Sequence, residues 1–412
     1  MPDEGLTSID LFAGCGGLSL GLHNAGWDGL FAIERDPMAF DTLRTNLVGA
    51  EAPYNAYAKW PDWVSQVPSD IDAFLANSAN KKRLRELRGA VTLVAGGPPC
   101  QGFSVGGARN GTDERNHLVH RLLEVVDLVR PKVALIENVE GITRAFRSRP
   151  REDAQESVAA EVVAAFKEFG YEADFGIGNA SEFGVPQVRR RAIIIGVRKD
   201  LGIAPSDFFR YLDKVQEEHL LAHGLPTDRP VTAAEALADL HNPDSRVQCP
   251  DSPKYDSSKY VKAEGPYALA LRRGIRAGTV PDSHRYTKHG EQILDLYSTA
   301  HATQPKGRLT KEFLLSMGTK KDKKVLIDPD APVSTITTHP DEFIHYAEPR
   351  NVTVREMARL QSFPDDFKFR GRYTINGPRR KFDVARCSQV GNAVPPLFAE
   401  AIGRALKGML GA

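Results

Sequence analysis

Apolar and polar positions along the chain fall into two regimes. Through about residue 199, apolar runs of strand length alternate with stretches whose apolar residues return every three or four positions. Ser8-Ile-Asp-Leu-Phe12 reads as a strand running into the turn Ala13-Gly-Cys-Gly-Gly17, and a helix follows from about Leu18 to Ala25. Leu30-Phe-Ala-Ile33 is a second strand, ending on Glu34. Asp36-Pro37 starts a helix with Phe40, Leu43 and Leu47 on one face. Val91, Leu93, Val94 and Ala95 form a further strand, stopped by Gly96-Gly97. Leu118, Leu122, Val125 and Val129 mark a helix closed by Pro131, and the strand Lys132-Val-Ala-Leu-Ile136 ends on Glu137-Asn138. Ala159, Val162, Val163, Phe166 and Phe169 share a helix face, and Gly184 to Arg191 feeds the strand Ala192-Ile-Ile-Ile195. Strands that alternate with helices predict an α/β fold with a mostly parallel, Rossmann-like sheet. From about Asp200 to Arg350 the periodicity disappears, which predicts a separate, loop-rich domain with short strands. Thr353 to Leu360 then reads as a helix, and Phe398, Ile402, Leu406 and Met409 mark a last one.

Composition narrows the picture only a little. At 412 residues there is room for one large domain and a smaller one, and 41% hydrophobic with 26% charged content is ordinary for a globular chain. A net charge of +1 leaves any basic surface to local runs: Lys81 to Arg88, Arg189-Arg-Arg191, Lys320 to Lys324 and Arg379-Arg-Lys381. Such runs are usually solvated faces. Four cysteines, Cys15, Cys100, Cys249 and Cys387, stand far apart with no CxxC pair, against a disulfide framework or a zinc site and for a reducing compartment. The spacing of His284, His289 and His301 fits no standard metal-ligand pattern, so no metal is expected. No apolar stretch reaches membrane-spanning length and no signal peptide is visible, so the expected location is cytoplasmic, with no membrane partner.

The candidate chemistry sits at strand ends. Pro98 and Pro99 stiffen the approach to Cys100, which puts a thiol on a rigid turn at the carboxyl end of a parallel strand. The alternative is a buried structural cysteine. A strand, a crossover helix and a second parallel strand bring Glu137 to the same sheet edge as Cys100. A glycine turn followed by Glu34 roughly 20 positions later fits an adenosine ligand whose ribose hydroxyls the carboxylate accepts. Ser19 stands where the dinucleotide fingerprint wants its third glycine, which makes a nicotinamide enzyme the weaker reading. Asp70-Ile71 either ends a strand and reaches an adenine edge, or Asp70 caps the helix that starts near Ile71. At period two, Gln187, Arg189 and Arg191 share one face while Arg190 points away. The glycine-rich segment Gly106 to Gly111 reads as a mobile loop over the site.

Six blocks in order resemble the DNA (cytosine-5)-methyltransferase family of prokaryotic type. They are Asp10 to Gly17, Gly97-Pro-Pro-Cys-Gln-Gly-Phe-Ser104, Glu137-Asn-Val139, Gln187-Val-Arg-Arg-Arg191, Arg355-Glu-Met-Ala-Arg-Leu-Gln361 and Gln389-Val-Gly-Asn392. They cover the first 200 residues and the last 80 or so, while roughly Ser245 to Lys324 matches nothing, as in the family's variable target-recognition domain. The resemblance implies an S-adenosylmethionine-binding catalytic domain over 1–199 plus 385–412 and a smaller target-recognition domain over 200–384, with DNA in the cleft between them. It implies Cys100 as the nucleophile at C6 of a flipped-out cytosine, and Glu137 as the N3 partner with a pKa raised by burial. Arg189 and Arg191 would orient the base through O2. Gln101, Ser104, Arg115, Asn138 and Gln187 would contact the substrate. Phe12, Ala13, Gly14, Gly16, Gly17, Glu34, Asp70, Ile71, Pro99 and Asn392 would hold the cofactor, with S-adenosylhomocysteine as product. The implied partner is double-stranded DNA, bound by a monomer, with room for a cognate restriction endonuclease of the same system. The RNA-methylating branch of the family and a DNA-binding homologue without activity are the competing readings. A large middle region, no Cys-Phe-Thr after Glu137, and the intact Cys100, Glu137, Arg189 and Arg191 stand against them.

Overall fold

The computed structural model describes residues 5–99, 117–144, 157–319, 321, 323–339, 341–374 and 383–412. It divides into two compact units: Met1–Ala180, Arg190–Glu218 and Phe398–Ala412 form the first, Ser181–Arg189 and His219–Leu397 the second.

The first unit is built on β1 (Thr7–Leu11), β2 (Asp28–Ile33), β3 (Leu93–Gly96), β4 (Val133–Val139), β5 (Tyr171–Asn179) and a long strand, Arg190–Arg198. The two-residue strand Gln187–Val188 of the second unit precedes that long strand in sequence, so they are β6 and β7. The sheet order is β2-β1-β3-β4-β7-β5. The first four are parallel and β7 runs antiparallel to both its neighbours. The mostly parallel α/β architecture expected from the alternation of strands and helices is therefore present. Ile9, Leu11, Val94, Ala134, Ile136 and Ile194 are all fully buried, as strands covered on both faces require. Removing each of the larger of these side chains (Ile, Leu and Val) from water contributes about 1.5–3 kcal/mol.

The helix His117–Val129 buries Leu122, Leu123, Val125, Val126 and Val129. A Cβ on Gly96 would lie 2.9 Å from Leu122 Cδ1 and 2.5 Å from the Leu11 carbonyl, so only glycine lets β3, β1 and this helix approach so closely. The last helix, Pro396–Leu410, has its Phe398–Leu410 part in this unit, where the Gly403 carbonyl accepts from Trp27 Nε1 at 3.1 Å. Of the two readings for Asp70, the structure takes the cap: its carboxylate accepts from the Asp72 and Ala73 amides at the start of the helix Ile71–Ala76.

The second unit has short strands, as its sequence predicts. Gly307–Arg308, Val325–Leu326 and Phe343–Ile344 make a three-stranded sheet packed on Leu296, Tyr297, Leu309 and Leu314. Val247–Gln248 and Asp256–Ser257 form a hairpin, and β6 pairs in parallel with Val333–Ser334. Its interior is ionic as well as apolar. Fully buried Arg359 reaches Asp239 at 2.9 Å and Asp365 at 2.5 Å, and Arg350 forks onto Glu356 at 2.7 and 2.8 Å. Glu356 also completes a capping box with Thr353 at the head of the helix Val354–Leu360. Burial opposes its charge, but the Arg350 fork holds its carboxyl well below the usual range.

Candidate active site

At the carboxyl edge of the first unit's parallel strands the chain makes its sharpest turns. After β1, Phe12 (φ 59°), Gly14 (φ 58°) and Gly16 (φ 94°) all take left-handed backbone, and the Ala13 amide donates to the Ile33 carbonyl at 3.1 Å. A Cβ on Gly14 would meet nothing within 4 Å, which leaves open space beside the loop. The helix Gly17–Asn24 follows with no side chain capping its first amides. The positive end of the helix dipole therefore meets the loop with no capping carboxylate or hydroxyl of its own, a setting that favours an anionic ligand group.

Glu34 ties this loop to the end of β2. Its carboxylate accepts from the Gly14 amide at 2.9 Å and from the Asp36 amide at 2.7 Å, and burial raises its pKa. The Ser69 amide donates to the Glu34 carbonyl at 2.7 Å, so Asp70 and Ile71 arrive beside Glu34. Beneath the loop lies an arrangement the sequence reading did not foresee. Buried Asp10 accepts from Ser19 Oγ at 2.5 Å, and Ser19 Oγ accepts from Tyr57 Oη at 2.8 Å. Burial pushes the Asp10 carboxyl up to about 7. The serine that breaks the dinucleotide fingerprint is thus the side chain that bonds Asp10 Oδ2, while Asp10 Oδ1 is buried with no partner among the described residues.

The β3–β4 edge carries the second part of the site. Gly96 is in register with Ile136, so the turn after β3 lies against Glu137 and Asn138. Asn138 Nδ2 donates to the Pro98 carbonyl at 3.0 Å, and a Cβ on Gly97 would stand 3.3 Å from Glu137 Oε2. Pro98 is buried and Pro99 exposed. Cys100, Gln101, Ser104 and Arg115 lie outside the described residues, as does the Gly106–Gly111 segment. Glu137 is buried and pairs with Arg191 Nε at 3.0 Å, each side chain being 10% exposed. Arg191 also donates to the Arg190 carbonyl at 2.7 Å. Burial pushes its guanidinium below the usual arginine value while Glu137 pulls it back. At one strand edge, a buried carboxylate can accept from a ring N–H or an amino group, and a buried guanidinium can donate to a carbonyl oxygen.

Arg189 and Gln187, expected on the same face as Arg191, are likewise buried, and Arg190 is exposed on an ion pair with Glu140. Their partners differ. Arg189 donates to the carbonyls of Ile336 at 3.2 Å and of Gly391 and Ala393 at 3.0 Å each, on either side of exposed Asn392. Gln187 bonds the Leu360 carbonyl, Gln361 Oε1 and the Ile336 amide, and Gln361 Nε2 reaches the Val390 carbonyl at 2.8 Å. These residues fix the Val390–Ala393 segment. A Cβ on Gly391 would lie 2.4 Å from the Thr337 carbonyl, so that position must stay glycine. The participation of Gln361 and Ile336 leaves no trace in spacing or periodicity, because it is long-range.

Comparison with known proteins agrees over nearly the whole chain. The sequence model of the C-5 cytosine-specific DNA methylase family matches residues 6–408. The Type II methyltransferase M1.HphI of Haemophilus parahaemolyticus is 31% identical over 405 residues, covering 97% of this chain and 86% of that protein. The Type II methyltransferase M.XorII of Xanthomonas oryzae pv. oryzae is 31% identical over 424 residues, covering 96% and 83%. Among solved structures, one described as a DNA modification methyltransferase encoded within an E. coli prophage superposes with a TM-score of 0.64 at 26% identity, covering 99% of this chain and 100% of that one.

Proposed function

The chain belongs to the C-5 cytosine-specific DNA methylase family and is a DNA cytosine-5 methyltransferase, and on that premise we propose how its residues divide the work. Cys100 is the nucleophile. C5 of cytosine is too weak a nucleophile to take a methyl group, and addition of the Cys100 thiolate at C6 turns C5 into an enamine-like carbon that can. The charge pushed into the ring needs a proton or a strong donor at N3, and Glu137 supplies it from its acid form, becoming the carboxylate that Arg191 pairs with as the adduct forms. Arg191 holds the Glu137 carboxylate in place and directs its remaining N–H groups to the base oxygen. After transfer, a base removes the C5 proton and the Cys100 sulfur leaves C6. The target cytosine must first be extruded from the duplex, at a cost of a few kcal/mol.

The observation that carries this reading is the contact of the Gly97-Pro98 turn with Glu137 and Asn138, since that turn leads directly into Cys100. The family implies use of S-adenosylmethionine, which supplies the methyl group as an electrophilic sulfonium. The first unit fits it: the open face at Gly14, the uncapped amides of the helix Gly17–Asn24 and the Glu34 carboxylate match an amino-acid carboxylate and a ribose. Phe12, Ala13, Gly16, Gly17 and Ile71 line the same edge. Asp70 spends its carboxylate on its own helix, so its share in adenine binding falls to the backbone of Asp70-Ile71. Arg189 and Gln187 are positioning residues for the Val390–Ala393 segment.

The test is a duplex carrying 5-fluorocytosine at target sites, because fluorine cannot be removed as a proton and the thioether persists. With S-adenosylmethionine, the wild-type chain should gain the mass of the strand under denaturing conditions, with the modified peptide containing Cys100. Cys100→Ser should give no adduct while still binding DNA. An adduct formed by that variant refutes the nucleophile assignment. Because the relatives are Type II methyltransferases, we further propose that a cognate restriction endonuclease recognises the same sequence. Conversion-based sequencing of DNA from a host expressing the chain would report that sequence.

A further inference from the structure

We propose that Arg285, held against the rings of Tyr255 and Tyr373 in the second unit, is a contact to a DNA backbone phosphate that sets the duplex on this enzyme. The inference rests on DNA being the substrate.

Most other buried or half-buried arginines of this unit are neutralised. Arg350 is matched by Glu356, Arg359 by Asp239 and Asp365, Arg272 by Asp239 and Arg386 by Asp251. Arg285 differs. Among the described residues no carboxylate pairs with it and no group accepts a hydrogen bond from it, and its Nε is buried without a partner. Two aromatic rings hold it instead: its guanidinium carbon lies 4.3 Å from the centroid of Tyr255 and 4.1 Å from that of Tyr373. Rings packed against a guanidinium satisfy none of its N–H groups, and these are the donors that match a phosphate.

Hydrogen bonds tie down the residues around Arg285. Tyr373 Oη donates to Asp251 Oδ1 at 2.6 Å, in the turn of the Val247–Ser257 hairpin, and Tyr255 belongs to the same turn. Flanking residues are pinned as well. The buried His284 ring bonds Thr353 Oγ1 at 2.9 Å and Ser258 Oγ at 3.1 Å, and the Tyr286 amide donates to the Asp256 carbonyl at 2.8 Å. A side chain so fixed, with its charge unanswered, is prepared for an anion from outside. Lys288 Nζ stands 5.6 Å from the Tyr255 ring, exposed and likewise without a carboxylate among the described residues, so the positive surplus extends beyond one residue. Neighbouring cations without carboxylates are the electrostatic footprint of a nucleic-acid backbone.

Affinity of the full chain for a labelled random-sequence duplex and for its cognate duplex, with S-adenosylhomocysteine present, is measured between 50 and 200 mM salt for wild type, Arg285→Gln and Arg285→Lys. One lost phosphate contact makes the slope of log K against log salt shallower by about 0.9, so the affinity loss over that range becomes about 3.5-fold smaller. Arg285→Gln should show this change, with the same weakening on both duplexes, and Arg285→Lys should keep the wild-type slope. A wild-type slope in Arg285→Gln overturns the proposal, as does weakening confined to the cognate duplex, which would mark a base contact. So does a loss of thermal stability shared by both variants with no change in slope, which would leave the stack a purely structural role. If the wild-type chain itself shows no salt-dependent DNA binding, it is the DNA-substrate reading that fails, not the assignment of Arg285.

Discussion

Adjacent glycines at the end of β3 should answer the same substitution in opposite ways. A Cβ on Gly96 would lie 2.5 Å from the Leu11 carbonyl, a backbone atom of the neighbouring strand, and 2.9 Å from Leu122 Cδ1. Neither strand nor helix can move aside locally, so Gly96→Ala should cost about 3 kcal/mol, the upper end for an added methyl in a packed interior. A chain of this size would lose a few degrees of Tm by that amount, roughly 2–4 °C. A Cβ on Gly97 would instead stand 3.3 Å from Glu137 Oε2, with nothing closer. Glu137 can yield by a few tenths of an ångström, so Gly97→Ala should leave stability within about 1 kcal/mol of wild type. The displaced carboxylate, however, is the group proposed at cytosine N3. A shift of an ångström costs on the order of 100-fold in rate, so a few tenths should lower kcat about three- to tenfold. Differential scanning fluorimetry and a radiolabelled methyl-transfer assay on the two variants decide the matter. Unchanged kcat in Gly97→Ala, or a stability loss there as large as in Gly96→Ala, would refute the placement of Glu137.

Other perturbations have equally definite outcomes. Glu137→Gln keeps the shape but leaves Arg191 buried without its carboxylate, so stability should fall by about 3 kcal/mol and kcat by 10²- to 10⁴-fold, measured by urea unfolding and single-turnover methylation. Burial raises the Asp10 carboxyl from 3.8 to about 7, so the folded chain binds a proton that the unfolded chain has released between those values. Its contribution is thus present in full below about pH 4 and is lost as pH rises to 7, a total on the order of 4 kcal/mol. Asp10→Asn should therefore gain stability relative to wild type from pH 5 to pH 8, and a constant difference across that range would count against it. Arg189→Ala should speed amide hydrogen exchange over residues 390–393, because three carbonyls lose their donor at once; Arg189→Lys, with no planar fork, should rescue little of it.

The parts of the fold readable from residue order are those whose physics is local. β3 and β4 are apolar on both faces, so Leu93–Gly96 and Val133–Ile136 announce themselves as runs. β5 does not: Glu172 and Asp174 interrupt it, and Gly176 and Gly178 sit in it because Phe209 and Phe398 pack where side chains would be. The helix Asp207–Ala222 falls where the loss of apolar periodicity after Asp200 predicts loop. Asp70 was ambiguous because an acid that ends a strand and one that caps a helix look identical until the amides of Asp72 and Ala73 are placed. Period two puts Gln187, Arg189 and Arg191 on one face and Arg190 on the other; that the shared face is the buried one follows only from packing. It could not say that Arg191 would find Glu137 while Arg189 would find carbonyls some two hundred positions downstream, since partners are chosen by packing.

The reversed direction of β7 has a consequence for how the enzyme guards its own assembly. Every other strand delivers its last residues to the working rim, whereas β7 delivers its first, and the ladder sets Arg191 opposite Val139, two residues past Glu137. Slippage of that ladder by a single step would turn Arg191 to the far face and strand the acid without its counter-charge. Under the role proposed for Glu137, a molecule that has zipped up its central layer incorrectly would also be inert, and a misassembled copy would be kept from acting on the genome.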